Sequence, residues 1–318
     1  MQAITPDLAR GTDVSLWQGA VDWSAVKAAG ITFGVAEATN GATGGDARFA
    51  SDWQGMRADG LFRSAYHFGL PCDSSANVQA DAELQAHRFV ATINAAGGYH
   101  VLGGDLPLAL DIEQNPKNLP AAELRAWCEF FCNTVDALLG LSGPRATMIY
   151  GGGGLLANMM QGQPSALAQR GLWLAEWGVN DPANLGPWTR WTAIQTSQSG
   201  HIPGINGPVD TDVWCLTPAQ MEAMYGGAPT PTGPKVMLWQ HASLQVVAET
   251  LAQQYGWQAT SNPNAATTAG DVLCVGGAPD WIAAAKAACR GTWHAPLAGA
   301  NYWATLALVA EAGSTGRF

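Results

Sequence analysis

Two carboxylates, Asp111 and Glu113, stand two residues apart in the apolar run LALDIEQ, residues 108 to 114. In an extended chain successive side chains alternate between faces, so both acids project to one side, their Cβ atoms ~7 Å apart, and Ile112 projects to the other. Enclosed together they repel, and burial disfavours their charged forms, so at least one pKa rises. A carboxylic acid that keeps its proton near neutrality can hand it to a leaving oxygen. No lysine or arginine lies between Asn94 and Pro116, so neither acid has a local counter-charge, and only a distant arginine could reduce them to an ion pair. Two further acids occupy strand ends, Asp13 after Gly11 and Thr12, and Asp210 in VDTDVW. Oxygen ligands of this kind also suit a hard cation, but no EF-hand-like loop accompanies them. A serine or cysteine nucleophile has little support: there is no GxSxG, and His67 in YHFG and His201 in GHIPG have no nucleophile beside them. The expectation is acid–base chemistry with no metal and no cofactor.

Aromatic residues supply the other half of such a site. Trp17, Trp23, Tyr66, Tyr150, Trp173, Trp177, Trp188, Trp191 and Trp214 fall near strand ends or in loops. Sugars pack their CH faces on aromatic rings while their hydroxyls need hydrogen-bond partners, so an acidic cleft with tryptophan and tyrosine suits a carbohydrate chain. Each ring taken singly serves a core equally well.

The elements that must position these groups alternate along residues 1–225. Short apolar runs (GTDVSLW, ITFGVAEAT, FRSAYHFG, PLALDIE, ATMIYGG, LWLAEWG, WTAIQTS, VDTDVW) are separated by helical patterns such as VDWSAVKAAG, FASDWQGMRADG, DAELQAHRFVATI and PAAELRAWCEFFCNTVDALLG. Nearly continuous apolar strands between helices predict parallel strands buried on both faces. About eight of them in one domain suit an irregular TIM-like βα barrel, an α/β fold whose catalytic groups come from the C-terminal strand ends. An open doubly wound sheet is the alternative. The stretch GGAPTPTGP excludes regular structure, so the organisation expected is a barrel over 1–225, a Pro/Gly linker over 226–235 and a small α/β domain over 236–318. Of the 25 acidic residues, 21 precede Lys235, so the acidity belongs to the larger domain.

Composition narrows the classes further. With 318 residues, 47% hydrophobic and 13% charged, the chain is long enough for a large core and too apolar for disorder. A net charge of −10 leaves no basic stripe to displace counterions, which disfavours nucleic acid. No run approaches the ~20 apolar residues of a membrane helix, and MQAITPDLARG lacks a signal-peptide pattern. Synthesis in the cytoplasm without a signal peptide is expected. Cys72, Cys128, Cys132, Cys215, Cys274 and Cys289 form no CxxC pair, which predicts free thiols and no zinc. Oligomeric state is not encoded in any of these patterns.

Six segments, GTDVSLWQGAVDWSAVKAAGITF, GLFRSAYHFG, LPLALDIE, MIYGG, LWLAEWG and WTAIQTSQSGHIPGINGPVDTDVW, appear in the order found in the glycoside hydrolase family 25 lysozymes, which the chain resembles over about residues 10 to 216. The resemblance implies an N-acetylmuramidase that binds bacterial peptidoglycan and cuts the β-1,4 bond between N-acetylmuramic acid and N-acetylglucosamine. It makes Glu113 the proton donor and sets Asp111, Asp13 and Asp210 in the same pocket. Tyr66 and Tyr150 match aromatic or hydroxyl positions of that pocket, and Trp177, Glu37, Gln195 and Asp212 are further candidates for contact with substrate. Glu37, in EATNG, stands where a KATEG-like motif carries a basic residue, and Asp212 is an extra acid where VDLN-like runs have none. The end of the chain, LAGANYWATLALVAEAG, is similar to part of a cell-wall-binding repeat. The implied role is a phage endolysin, with a muramidase effector used against rival bacteria as one alternative and a non-catalytic glycan-binding protein as another. A chitinase-like barrel lacks support, because no DxxDxDxE run is present.

Overall fold

The computed structural model describes residues 2–100, 103–159 and 166–226, and beyond them 235–239, 244–245, 248–249, 258–262, 271–275, 279–289 and 292–293. The chain forms two compact units, Met1–Gly226 and Gly227–Phe318.

The first unit contains β1 (Arg10–Val14), β2 (Phe33–Asn40), the short β3 (Gly44–Gly45), β4 (Phe62–Phe68), β5 (Ala109–Asp111), β6 (Met148–Gly152), β7 (Leu172–Ala175), β8 (Ala193–Gly200) and β9 (Val209–Trp214). Between them lie α1 (Trp23–Ala28), α2 (Phe49–Ala58), α3 (Val78–Ala95), α4 (Ala121–Leu139), α5 (Gly153–Met159) and α6 (Pro218–Tyr225). The strands follow the order β1-β9-β8-β7-β6-β5-β4-β2, and β1 pairs again with β2, so eight strands close a barrel and the open doubly wound sheet is excluded. Seven of them run parallel, as their apolar character predicts. The expectation fails for VDTDVW: β9 is antiparallel to both neighbours, β8 and β1. The reason is the connection, residues 201–208, which is too short for the crossover of a dozen or so residues that a parallel strand requires. The start of β9, not its end, therefore reaches the face where the other strands terminate.

Alternation sorts the side chains into two layers. Phe33, Val35, Ala109, Met148, Tyr150, Trp173, Ala193 and Trp214 fill the barrel. Leu108, Leu110, Ile112, Ile149, Leu174 and Ile194 point outward and pack with Trp53, Phe89, Trp127 and Phe131 of the helices. On α4 the buried residues Leu124, Trp127, Cys128, Phe131, Cys132 and Val135 recur every three or four positions, the stripe of a helix that covers a sheet. That helix stops at Gly140, which takes a left-handed conformation at φ 67°. Cys72, Cys128, Cys132 and Cys274 are buried free thiols.

The second unit has a parallel sheet in the order β11-β10-β12-β13, formed by β10 (Lys235–Trp239), β11 (Gln258–Thr260), β12 (Asp271–Val275) and β13 (Thr292–Trp293). Its helix α7 (Pro279–Ala288) contributes Ala285 to a small core with Val236, Leu238, Val272 and Cys274. The strands β10 and β12 and the helix match VMLWQ, DVLCVGG and DWIAAAKAAC; β11 and β13 carry no pattern that marks them in advance. The body of the expected linker, most of the ASLQVVAETLAQQYG helix and the whole NYWATLALVAEAG helix lie outside the described residues. No helix among the described residues is long and apolar enough to cross a membrane.

Candidate active site

The strand that carries the acid pair is shorter than its apolar run suggests. Ladder pairing ends at Asp111, which aligns with Phe68 of β4 and Tyr150 of β6, and Glu113 extends past it in the same direction. Two backbone bonds clamp this end, Gly69 N–H to the Asp111 carbonyl at 2.8 Å and Ile112 N–H to the Tyr150 carbonyl at 3.1 Å. Glycine leaves room on both sides: a Cβ at Gly69 would lie 3.1 Å from the Asp111 carbonyl oxygen, and one at Gly151 would lie 3.0 Å from that of Ile112. The glycines of YHFG and MIYGG thus let neighbouring backbones close on the strand that presents the acids. Ile112 is fully buried in the outer layer, while Asp111 is 5% exposed at the cavity floor and Glu113 stands open to the cavity.

On the opposite wall β1 and β9 supply Asp13 and Asp210. Gly11 pairs with Asp212, and Thr12 Oγ1 donates to the Asp210 carbonyl at 2.7 Å, which draws the two strands together at the mouth. Gln195 of β8 fixes this wall. Its Oε1 accepts from Tyr150 O–H and from Trp177 Nε1–H, both at 2.9 Å, and its Nε2–H donates to Asp13 Oδ2 at 2.9 Å. Because both sides of the amide are engaged, it has one orientation. Below it, Trp173 Nε1–H donates to Asp212 Oδ1 at 2.8 Å.

These groups enclose a cavity of about 470 Å³ at the barrel mouth, which Asp13, Glu37, Tyr66, Asp111, Glu113, Tyr150, Trp177, Gln195 and Asp210 all line. Asp212 alone of the expected residues does not line it; it sits under the floor, 1% exposed. A side pocket of about 340 Å³ opens off the same site and shares Glu113, Tyr150 and Trp177. Ser15, Asn40, Phe68 and Gln198, which carry no role from sequence, also line the main cavity, as do Trp17 and Trp173 of the aromatic set. Asn40 is there because the β2–β4 register slips between Glu37 and Thr39, which sends Thr39 outward and Asn40 in. Trp17, 84% exposed, is held at the rim by a turn in which Ser15 N–H donates to Gln18 Oε1. His67 faces away from the cavity: it is stacked on Phe131 in the outer layer, with Nδ1 against Thr39 Oγ1 and Nε2 against Gln85 Oε1, each at 2.8 Å.

No lysine, arginine or histidine lines the cavity among the described residues, and the electrostatics follow. Burial, then Asp212 and Asp210, holds the Asp13 carboxyl well above the ordinary range. Burial, then Glu113 and Glu37, does the same to Asp111, whose Oδ1 is sealed from solvent with no donor. Glu113 is raised by burial and by Asp210, against a lowering contribution from the Tyr150 hydroxyl. Glu37 is raised by burial and by Asp46, although Asn40 and Tyr66 donate to it. Burial also lifts Asp210, and it lifts Asp212 to about 7. The floor between the two acid walls is aromatic, with Tyr150 and Trp173 rings 4.5 Å apart and Tyr66 edge-on to Trp173.

An open acid raised above its ordinary range, a facing set of carboxylates and a floor of rings suit the cleavage of a glycoside. Comparison with known proteins agrees. The model of glycosyl hydrolases family 25 matches residues 12–205. Lysozyme M1 of Streptomyces globisporus is 31% identical over 220 residues, 68% of this chain and 70% of that one. An N,O-diacetylmuramidase of a Chalaropsis species is 28% identical over 63% of this chain and 95% of its own. The crystal structure of the lysozyme from Streptomyces coelicolor superposes with a TM-score of 0.61 at 30% identity, covering 70% of this chain and 98% of that one. The chain belongs to glycosyl hydrolases family 25. It is a muramidase, and its substrate is peptidoglycan.

Proposed function

We propose that the enzyme cuts the β-1,4 bond between N-acetylmuramic acid and N-acetylglucosamine with Glu113 as the proton donor. The observation that carries this role is the contrast within the acid pair. Glu113 stands open to the cavity with its carboxyl raised by burial and by Asp210, whereas Asp111 lies at the floor, 5% exposed. The proton passes from the Glu113 carboxyl to the glycosidic oxygen as the C–O bond breaks, and positive charge grows on the ring carbon. Asp13, Asp111 and Asp210 line the same cavity, and whichever of them is ionised favours that charge. Tyr66, Tyr150 and Trp177 border the sugar, Glu37 and Gln195 supply polar contacts, and Asp212 acts from below.

Digestion of purified peptidoglycan followed by borohydride reduction tests the bond: muramitol supports the assignment and glucosaminitol refutes it. Glu113→Gln tests the donor, and a folded variant that turns over at the wild-type rate refutes it.

A catalytic barrel followed by a smaller unit is the layout of an endolysin, and that role, with the second unit anchoring to the wall, is part of the proposal. Removal of residues 228–318 should weaken retention on sedimented cell walls, and undiminished retention refutes the anchor.

A further inference from the structure

Glu113, Tyr150 and Trp177 line two cavities at once, the main one of about 470 Å³ and the side pocket of about 340 Å³. The side pocket exists because two neighbouring strands end on very small residues. On β6 the Tyr150 ring fills the barrel, and position 151 faces outward, toward Leu156 and the Ile112 carbonyl. Alternation therefore aims position 152 back to the side of the Tyr150 ring, where glycine places no side chain. Its ladder partner on β7 is Ala175, two residues after Trp173. A layer of rings is thus followed by a layer with almost no side chain, and Leu155 and Trp177 border the space that results. Nothing in the backbone demands glycine at 152: its φ is not left-handed, and a Cβ there would meet no atom within 4 Å. What this glycine provides is room.

The two cavities differ in charge. Five carboxylates line the main one, Asp13, Glu37, Asp111, Glu113 and Asp210, whereas among the described residues only Glu113 brings a charged group to the side pocket. When a glycosidic bond breaks, positive charge grows on the sugar that loses the oxygen, while the sugar that keeps it departs neutral with a new hydroxyl. Carboxylates belong around the first sugar and not the second. A bond whose oxygen faces Glu113 has one sugar on each side of that acid, so the asymmetry sets the direction in which the strand lies. We infer that the side pocket holds the leaving sugar, the N-acetylglucosamine on the reducing-end side of the cut, and that Gly152 is the specificity-determining residue that admits it. Trp177 is half-exposed and its Nε1–H is committed to Gln195, so it presents a fixed ring face to that sugar. Leu155 and Ala175 suit the methyl of its acetamido group.

The inference rests on Glu113 protonating this bond, as in the function proposed above. In the full-length enzyme Gly152→Val puts a side chain suited to a strand into the pocket. Two substrates separate the two sides of the cut. Peptidoglycan needs both sides, whereas the β-glycosyl fluoride of the N-acetylglucosaminyl-N-acetylmuramic acid disaccharide places no sugar in the side pocket. The ratio of kcat/KM on the polymer to kcat/KM on the fluoride should fall at least about tenfold in Gly152→Val, and by less in Gly152→Ala. A folded Gly152→Val with the wild-type ratio overturns the inference: if both activities are kept the pocket is unused, and if both fall together it holds the other sugar. An unmodified enzyme that cuts the polymer but releases no fluoride overturns it too, since the main cavity is then not the side of the charged sugar. Where Gly152→Val does not fold, Gly154→Leu on the exposed start of α5 is read by the same ratio. Wild-type turnover in Glu113→Gln removes the donor and this inference together, whereas an unmoved ratio removes this inference alone.

Discussion

Two buried aspartates on opposite sides of the barrel wall lead opposite lives. Asp81, on α3 in the outer layer, is fully buried and saturated: it accepts from Cys72 N–H, Ser74 N–H, Ser74 O–H, Gln85 Nε2–H and Trp127 Nε1–H, all within 2.9 Å. Asp111, on β5 inside the barrel, is nearly as buried but has an oxygen with no donor at all. The outer layer answers this burial with partners, as it does again where Arg63 Nε meets Asp105 at 2.7 Å. The inner mouth leaves its acids short of partners and crowded with like charge. A saturated acid is held by its partners; an unsaturated one amid like charge is pushed toward its protonated form, at a cost in stability.

Substitutions can break or sharpen that contrast. The largest effect is expected at Glu113: the glutamine variant should lose 10²–10⁴-fold in turnover, the range a positioned general acid contributes, with its unfolding midpoint unchanged. Release of reducing ends and a thermal melt check both halves. Asp81→Ala should do the reverse, destabilising by about 3 kcal/mol because it orphans several buried donors, while activity per folded molecule is kept. Urea unfolding measures it, and a loss below about 1 kcal/mol would show that the outer network is dispensable.

The third effect concerns pH. His67 is buried neutral, its pKa pushed down to about 4 chiefly by burial. Between pH 6.5 and 4 the unfolded chain takes a proton that the folded one refuses, so stability falls as pH falls, by about 3 kcal/mol once below both values. Carboxyls raised by burial, Asp212 to about 7 and Asp52 to about 6, act with the opposite sign, since the folded state holds their protons and stability falls as pH rises through that window. The His67 share is therefore read as the difference between wild type and His67→Gln in urea titrations from pH 7 to 4. The smallest effect is at Asp111: the asparagine variant should gain up to ~1 kcal/mol of stability, by relieving the like-charge crowding of a buried carboxyl, and lose activity. A destabilised Asp111→Asn would place this acid with Asp81 rather than apart from it.

Much of this site is legible in the sequence because it depends on local alternation. LALDIE announces that Asp111 and Glu113 share a face and that Ile112 does not, and the apolar runs announce the barrel. What escapes is set by long-range register. Asp210 reaches the mouth only because β9 runs backwards, Asn40 enters only through a slip in β2, and Asp212 falls below the floor because Gln195 and Gly11 pair with it from segments far apart in the chain. The same limit hides Gln195's role: nothing in TAIQTSQ shows that its amide joins Asp13 to Tyr150 and Trp177. His67, conspicuous in YHFG, is on the outward face, where its neighbours make it structural.

The reversed strand β9 has a consequence for how the enzyme comes into being. Asp13 lies near the start of the barrel sequence and Asp210 near its end, and one ladder, laid down last in chain order, joins them. Until that final strand docks, the barrel is an open trough, Asp13 lacks the Asp210 and Asp212 carboxyls beside it, and the pocket has no second wall. A partly synthesised or misassembled chain is thus inert toward the polymer it is built to cut, and catalytic competence serves as a certificate that the whole ring has closed.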